Sequence, residues 1–150
     1  MAQFPYTVAE TWLHSTLSGD SIVTGVVGTR IHEDVTPSID EKGDPLPSAF
    51  PALIYNVQAT QPDYSEVSGI VIWSGLLYLV RGVFETRSYG GNVEVLAKRI
   101  DDLLHRKSGA VTGGRVVACV RTQPFKQREL TNMRHYRSMG GIYELKVQVD

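Results

Sequence analysis

The sequence contains one cysteine, Cys119, which lies within the apolar run "RVVACVRT". A single cysteine excludes an intrachain disulfide, so a disulfide scaffold cannot hold this 150-residue chain together. The apolar setting predicts a buried thiol with a raised pKa rather than a reactive nucleophile. We therefore expect a protein of a reducing cytosol whose stability comes from its hydrophobic core.

Long apolar runs and targeting signals are also lacking. The longest apolar stretch, "GIVIWSGLLYLV", is interrupted by Ser74 and Gly75. It is shorter than the roughly 20 residues that a membrane-spanning helix needs. The N-terminus "MAQFPYTVAETWLHS" has no basic start followed by an apolar segment, so we expect no signal peptide. The sequence therefore predicts a protein with no membrane partner.

No motif in the sequence assembles catalytic or metal-binding groups. A GxSxG nucleophile motif is lacking, and "IHEDV" lacks the second histidine of the HExxH zinc motif. Asp101 and His105 stand four residues apart, a spacing that suits two metal ligands on one helix, but no third ligand is in view. We expect no catalytic residue, no metal and no cofactor. An enzyme with an unrecognised site is the alternative, and a deep polar pocket holding a perturbed acid or histidine would indicate it.

A charge excess is lacking too, although the charges are unevenly distributed. The formal net charge is -1, which gives no general attraction to nucleic acid or anionic membrane. Ten of the fifteen basic residues lie between Lys98 and Arg137, whereas the stretch from Glu33 to Glu66 is acidic apart from Lys42. Solvated surface is one interpretation. The other is that an acidic face of one copy meets a basic face of the next, and a nucleic-acid-binding module is a further alternative.

Apolar periodicity predicts two main helices and several strands. One helix covers Thr7–Leu17, with Thr7 and Glu10 as a capping box, and another carries an apolar stripe through "NVEVLAKRIDDLL". A short helical turn closed by Gly28 lies between them and leads into a strand at Arg30-Ile31. Further strands are predicted in "PALIYNVQAT", in "GIVIWSGLLYLVRGVFET" as one bent strand or two, in "GRVVACVRTQPF", and from Gly141 to Val149.

These elements predict a single α+β domain over residues 1–150. We expect a two-layer sandwich, with an antiparallel sheet of about four or five strands and two helices on one face. A long loop over residues 36–50 and an irregular basic arm over residues 124–140 complete it. A strand at the chain end would leave a sheet edge open to a neighbouring copy.

The chain resembles the tail completion (tail terminator) proteins of long-tailed bacteriophages. The likeness lies in the helical "VAETWLHSTLSGDSIVTGVVGTRIHEDV" with its Gly-x-Arg-Ile strand entry, in "FPALIYNV", in the "VEVLAKRIDDLLH" helix, and in "RHYRSMGGIYELKVQV". In that last segment the family commonly has an arginine-rich approach to a Gly-Gly-x-Tyr/Phe strand. The order of elements matches over nearly the whole chain. The 36–50 insert and the "GIVIWSGLLYLV" run depart from shorter members, so loop contacts are not transferred.

The resemblance implies a structural virion protein, assembled in the host cytoplasm and located in the tail or neck. Such proteins form a hexameric ring of copies of themselves, which ends polymerisation of the tail tube protein and presents a surface to the head connector. No catalysis or cofactor is implied. The first alternative is a head-completion or stopper protein of the neck. A basic lumen would contact passing DNA without sequence specificity.

Ten residues are predicted to form the contacts of this ring with copies or partners. Arginine and tyrosine are favoured interface anchors, so Arg134, Tyr136 and Arg137 rank highest. Reversing the charges of Arg134 and Arg137 is predicted to abolish assembly and leave the monomer folded. The basic set is Arg121, Phe125, Lys126, Arg128, Arg134, Tyr136 and Arg137, and the acidic set is Asp40, Glu41 and Asp44.

Overall fold

The structure is a computed structural model that describes residues 4–36, 39–69, 71–87 and 91–150. Its elements follow one another along the chain as two helices, three strands, a helix and three strands. They are α1 (Pro5–Ser18), α2 (Ser21–Val27), β1 (Ile31–Glu33), β2 (Ala52–Ser65), β3 (Val71–Glu85), α3 (Asn92–Leu104), β4 (Lys107–Val111), β5 (Gly114–Thr131) and β6 (Arg134–Val149). A short 3-10 helix, Pro47–Ala49, lies between β1 and β2.

The strands form one curled, half-barrel sheet of six strands in the order β1-β2-β3-β6-β5-β4. β1 pairs with β2 in parallel, and every other pairing is antiparallel. The predicted fold class is therefore wrong, because the protein is mostly β and its mixed sheet carries three helices in the described residues. The sequence prediction placed strand ends where polar residues begin. In the structure β2 and β5 continue through these polar residues and form exposed hairpins with β3 and β6.

Helices α1 and α3 pack against one face of this sheet, and α2 packs against these two helices. Alternate residues of each strand point to the same face, and on β3 the helix-facing series includes Leu76, Tyr78 and Val80. The amphipathic α3 buries Leu96, Ile100 and Leu104 against them. Gly82 permits this close packing, since a Cβ there would lie 2.5 Å from the Leu96 side chain.

Two buried tyrosines link the sheet to the helices by hydrogen bonds. The Tyr78 hydroxyl donates to Glu10 of α1 at 3.0 Å, and the Tyr143 hydroxyl donates to Asp101 of α3 at 3.0 Å. Burial raises the pKa of both phenols, and desolvation also raises the pKa of Glu10. Each phenol thus remains a proton donor with a partner inside the core.

The helix ends differ in part from the sequence prediction. α1 begins at Pro5 after the N-cap Phe4 and has no side-chain cap, so the Thr7–Glu10 capping box is wrong. α2 is confirmed, with Gly28 at its end and Asp20 as its N-cap, whose carboxylate accepts from the Val23 N–H at 3.0 Å.

The predicted irregular arm is a regular hairpin. From Gln123 onward, β5 and β6 pair without a break as far as Thr131–Arg134. The turn that joins them holds Asn132 and Met133, which both have positive φ. Two such residues match the two-residue turns that suit the right-handed twist of hairpin strands. β6 therefore begins at Arg134, and it lies between β3 and β5 at the centre of the sheet. The chain end does not provide the open edge.

Candidate assembly surfaces

Arg134 connects the loop before β2 to the turn end of the β5–β6 hairpin. The guanidinium makes a two-point ion pair with Glu85, at 2.8 and 2.6 Å, and also donates to the Pro45 carbonyl. The pair lowers the pKa of the Glu85 carboxyl. Next to it, the Asn132 amide donates to the Asp44 carboxylate at 2.7 Å. These contacts form a clamp between loop and hairpin within one chain.

Tyr136 and Arg137 follow Arg134 on β6 and are both buried, each with 8% of its surface exposed. The Tyr136 ring packs on Phe50 with 5.2 Å between ring centroids, and the Arg134 guanidinium lies 5.5 Å from the same ring. Burial raises the pKa of Tyr136. The Arg137 guanidinium donates to the Arg87 carbonyl at 2.6 Å. The three residues ranked highest for assembly thus serve contacts inside the subunit.

The remaining basic set lies along the outer half of β5. Lys126 and Arg128 are exposed, and Phe125 is half-buried with the Arg81 guanidinium 5.8 Å from its ring centroid. Arg121 forms an ion pair with Asp101 at 3.3 Å, and its backbone N–H donates to His105 Nδ1 at 3.0 Å. Arg121, Lys126 and Arg128 are the exposed basic members on this strand, and Arg121 is held by its ion pair.

The acidic set occupies the loop before β2. Asp40 folds a local turn, since one of its carboxylate oxygens accepts the backbone N–H groups of Lys42 and Asp44 at 2.9 Å each. Glu41 is exposed. The structure thus brings Asp44 next to Arg134 within one chain, where the sequence hypothesis put these residues on the meeting faces of two copies. The set's role in assembly stays a prediction, and Asp40 and Glu41 are its exposed members.

A recess of about 240 Å³ lies between this loop and the sheet face that the helices leave open. Phe50, Ile54, Val83 and Tyr136 give it mostly apolar walls, and Arg81 is half-buried at its edge. The Arg81 guanidinium donates to Gln127 and Ser138 at 3.3 and 3.4 Å, and burial lowers its pKa. Among the described residues, the walls of the recess include no histidine or cysteine.

The residues weighed for chemistry from the sequence have structural roles. Cys119 is fully buried, and burial raises its thiol pKa to about 12. Asp101 and His105 bind Tyr143 and the Arg121 segment, as described above. Within the described ranges, no cluster of three or more His, Cys, Asp or Glu residues could hold a metal. No helix there is long and apolar enough to cross a membrane.

Sequence reasoning missed two exposed sheet edges. β1 pairs with β2 only at Leu53–Tyr55, and β4 pairs with β5 only as far as Cys119. Beyond these residues, β2 pairs only with β3, and β5 pairs only with β6. The other edge of each strand has no pairing strand among the described residues. The signals that could have found them are Pro62 and Pro124, because proline within a strand is confined to edges and bulges.

The fold is similar to that of a chain in the solved structure "Virion of native gene transfer agent (GTA) particle". The similarity has a TM-score of 0.65 at 16% sequence identity and covers 95% of this chain and 98% of that one. No protein-family model matches the sequence. No curated protein matches it either. The similarity therefore extends over nearly the full length of both chains.

Proposed function

We propose that this chain is a structural virion protein that forms a ring, a homohexamer, at the head-proximal end of a phage-like tail. The ring ends polymerisation of the tail tube and joins the tail to the head connector, so the protein belongs to the tail or neck of the particle. The observation that carries this proposal is the fold shared, over nearly the full length of both chains, with a chain of a phage-like virion.

The surface of the subunit supports an assembly role. Several large apolar side chains on the two hairpins, which project beyond the packed core, are exposed. Such exposure on a small soluble domain is typical of surfaces that contact other proteins. They include Tyr64, Val67 and Val71 on the β2–β3 hairpin, and Leu130 and Met133 on the β5–β6 hairpin.

The proposal includes no catalytic activity and no cofactor. It is supported by the internal use of Asp101, His105 and Cys119, which leaves the candidate chemical groups occupied or buried. The basic residues of β5 would contact DNA passing through a ring only through phosphates, without base recognition. Such contact would weaken steeply with added salt.

A tube-extension experiment tests the proposed role. Purified tail tube protein of the same particle is allowed to polymerise with and without this chain, and tube lengths are measured by electron microscopy. We expect shorter tubes that carry a ring at one end. The alternative is a stopper protein of the neck, and it predicts unchanged tube length together with binding to the isolated head connector. Binding to neither partner would contradict both roles.

A further inference from the structure

Two stretches of the sheet have a strand on one side only. Residues 57–65 of β2 pair with β3, and residues 123–131 of β5 pair with β6. On their other sides, no strand of the described chain pairs with them, because β1 and β4 end earlier. An unpaired strand edge presents a row of backbone donors and acceptors that fits another strand. The two stretches are equal in length and lie on opposite edges of the sheet.

The directions of these strands suit pairing between two copies. The three successive antiparallel pairings β2–β3, β3–β6 and β6–β5 make β2 and β5 run in opposite directions. Copies related by a rotation about a ring axis would therefore bring β2 of one copy antiparallel to β5 of the next. Because the two edges are different surfaces, the contact is heterologous, the type that closes into rings.

The offset of the two stretches along the sheet suits a closed barrel. Residues 57–65 lie beside the start of β3, whereas residues 123–131 lie beside the part of β6 that pairs with the end of β3. Joining them shifts each copy along the strand direction relative to its neighbour. Closing a sheet into a barrel requires such a stagger and a tilt of the strands. The sheet of one copy is already curled.

The charges, prolines and bulges of the two edges favour pairing between β2 and β5 of neighbouring copies over pairing with an arbitrary strand. Lys126 and Arg128 are exposed on the β5 edge, and Asp63 and Glu66 are exposed on and next to the β2 edge. Pro62 and Pro124 each remove one backbone donor. Bulges interrupt both strands, at Val57/Ala59 and Gln61/Tyr64 in β2 and at Arg121/Gln123 in β5. Such devices limit which registers two edges can adopt.

We propose that residues 57–65 of one copy pair antiparallel with residues 123–131 of the next copy, so that the subunit interface is a continuous β-sheet. This inference rests on the proposed ring, and it specifies which surfaces of the chain meet in it. The pairing covers the exposed apolar side chains of Val57 and Leu130, and it places the basic edge beside the acidic one.

Paired cysteines test the contact directly. Thr60 pairs with the core residue Leu76 and so faces the helices, as do Lys126, Arg128 and Leu130 of β5, whereas Glu129 faces the other way. Thr60→Cys is combined in one chain with K126C, R128C or L130C, three choices that scan the register. T60C with E129C is the matched control on the wrong face. The native Cys119 is fully buried and does not contribute.

The proteins are first sized by light scattering, then oxidised mildly and run on a non-reducing gel. We expect one same-face pair to give a ladder of covalent oligomers that ends at the ring, since disulfides form only at Cα separations of about 4.4–6.8 Å. The control pair is expected to remain monomeric on the gel. Assembled protein in which no same-face pair crosslinks, or in which the control crosslinks equally, overturns the edge pairing and leaves the ring intact. Protein that assembles neither alone nor on added tail tubes overturns the ring itself.

Discussion

At the scale of single residues, the half-buried Asp20 stabilises the packing of two helices. Asp20 caps α2 and also accepts two hydrogen bonds from Arg99 of α3, at 3.1 and 2.6 Å. The Arg99 contact lowers the pKa of Asp20. One carboxylate therefore joins two helices, and a helix prediction from periodicity does not find such a link because its partners lie far apart in the chain.

Replacing Asp20 with alanine is expected to reduce the free energy of unfolding by about 0.5–2 kcal/mol, the range measured for lost N-caps. The exposed Asp102→Ala on α3 is the matched control and should lose nothing measurable. Urea denaturation of the two variants makes the comparison. Equal stability of D20A and the parent protein would contradict the assigned role.

Glycine positions on β6 and α2 give a second residue-scale prediction. A Cβ at Gly140 would lie 2.0 Å from the Val80 carbonyl oxygen, which is backbone and cannot move aside cheaply. Gly140→Ala should therefore destabilise the protein by at least about 2 kcal/mol. Gly25 in α2 has open space around it, so Gly25→Ala should instead stabilise by about 0.4–1 kcal/mol. Thermal unfolding of both variants measures these changes. A G140A variant as stable as the parent protein would mean that β3 and β6 lie farther apart than in the structure.

At the scale of elements, prediction succeeded where apolar spacing marks a buried face. The helical pattern through Ile100 is confirmed as α3. The β5–β6 hairpin was missed because both faces of residues 121–131 are largely exposed, which leaves no alternation to detect. The short β4 was missed for a related reason, since "KSGAV" offers few apolar residues and Gly109 resembles a helix terminator.

The clamp at Arg134 predicts how the loop before β2 behaves. Arg134→Ala should lower the free energy of unfolding, because it removes a charge-assisted, two-point ion pair with Glu85. It should also speed amide hydrogen exchange in residues 39–50. Arg128→Ala, an exposed arginine on the same hairpin, is the control and should change neither quantity. Unchanged exchange in R134A would show that other contacts hold the loop.

The same clamp should depend on pH. The pKa of Glu85 in the folded protein lies below its ordinary value of 4.5, so the ion pair contributes fully above that pH. The contribution is lost as the pH falls through the lower, folded pKa. Glu85→Gln should therefore be less stable than the parent near pH 7 and show a smaller loss of stability on acidification. An identical acid dependence in both proteins would contradict this assignment.

At the scale of the whole molecule, the charge pattern found in the sequence divides into two parts. Arg134, Arg137 and Asp44 serve the subunit itself, whereas Lys126 and Arg128 face solvent on the β5 edge. Charge counts along a sequence cannot make this division, because burial is decided by the strand pairing. Charge reversal at Arg134 and Arg137 would therefore disturb the fold of the subunit as well as any interface. A loss of assembly in that variant would not separate the two effects.

Reversal of Lys126 and Arg128 to glutamate should prevent assembly and leave the monomer folded. Both side chains are exposed, so the free energy of unfolding should change by no more than about 0.5 kcal/mol. Light scattering measures the assembly and circular dichroism the fold. Asp102→Lys, an exposed reversal on α3, is the control and should assemble normally. A K126E/R128E double variant that assembles like the parent would remove the β5 edge from the interface.

The measurement that most directly tests the account is the native mass of the concentrated protein, by light scattering after size exclusion, with electron microscopy of the large species. The account predicts a closed hexameric ring, formed alone or on added tail tubes of the same particle. A protein that stays monomeric at every concentration and does not bind tail tubes would contradict it.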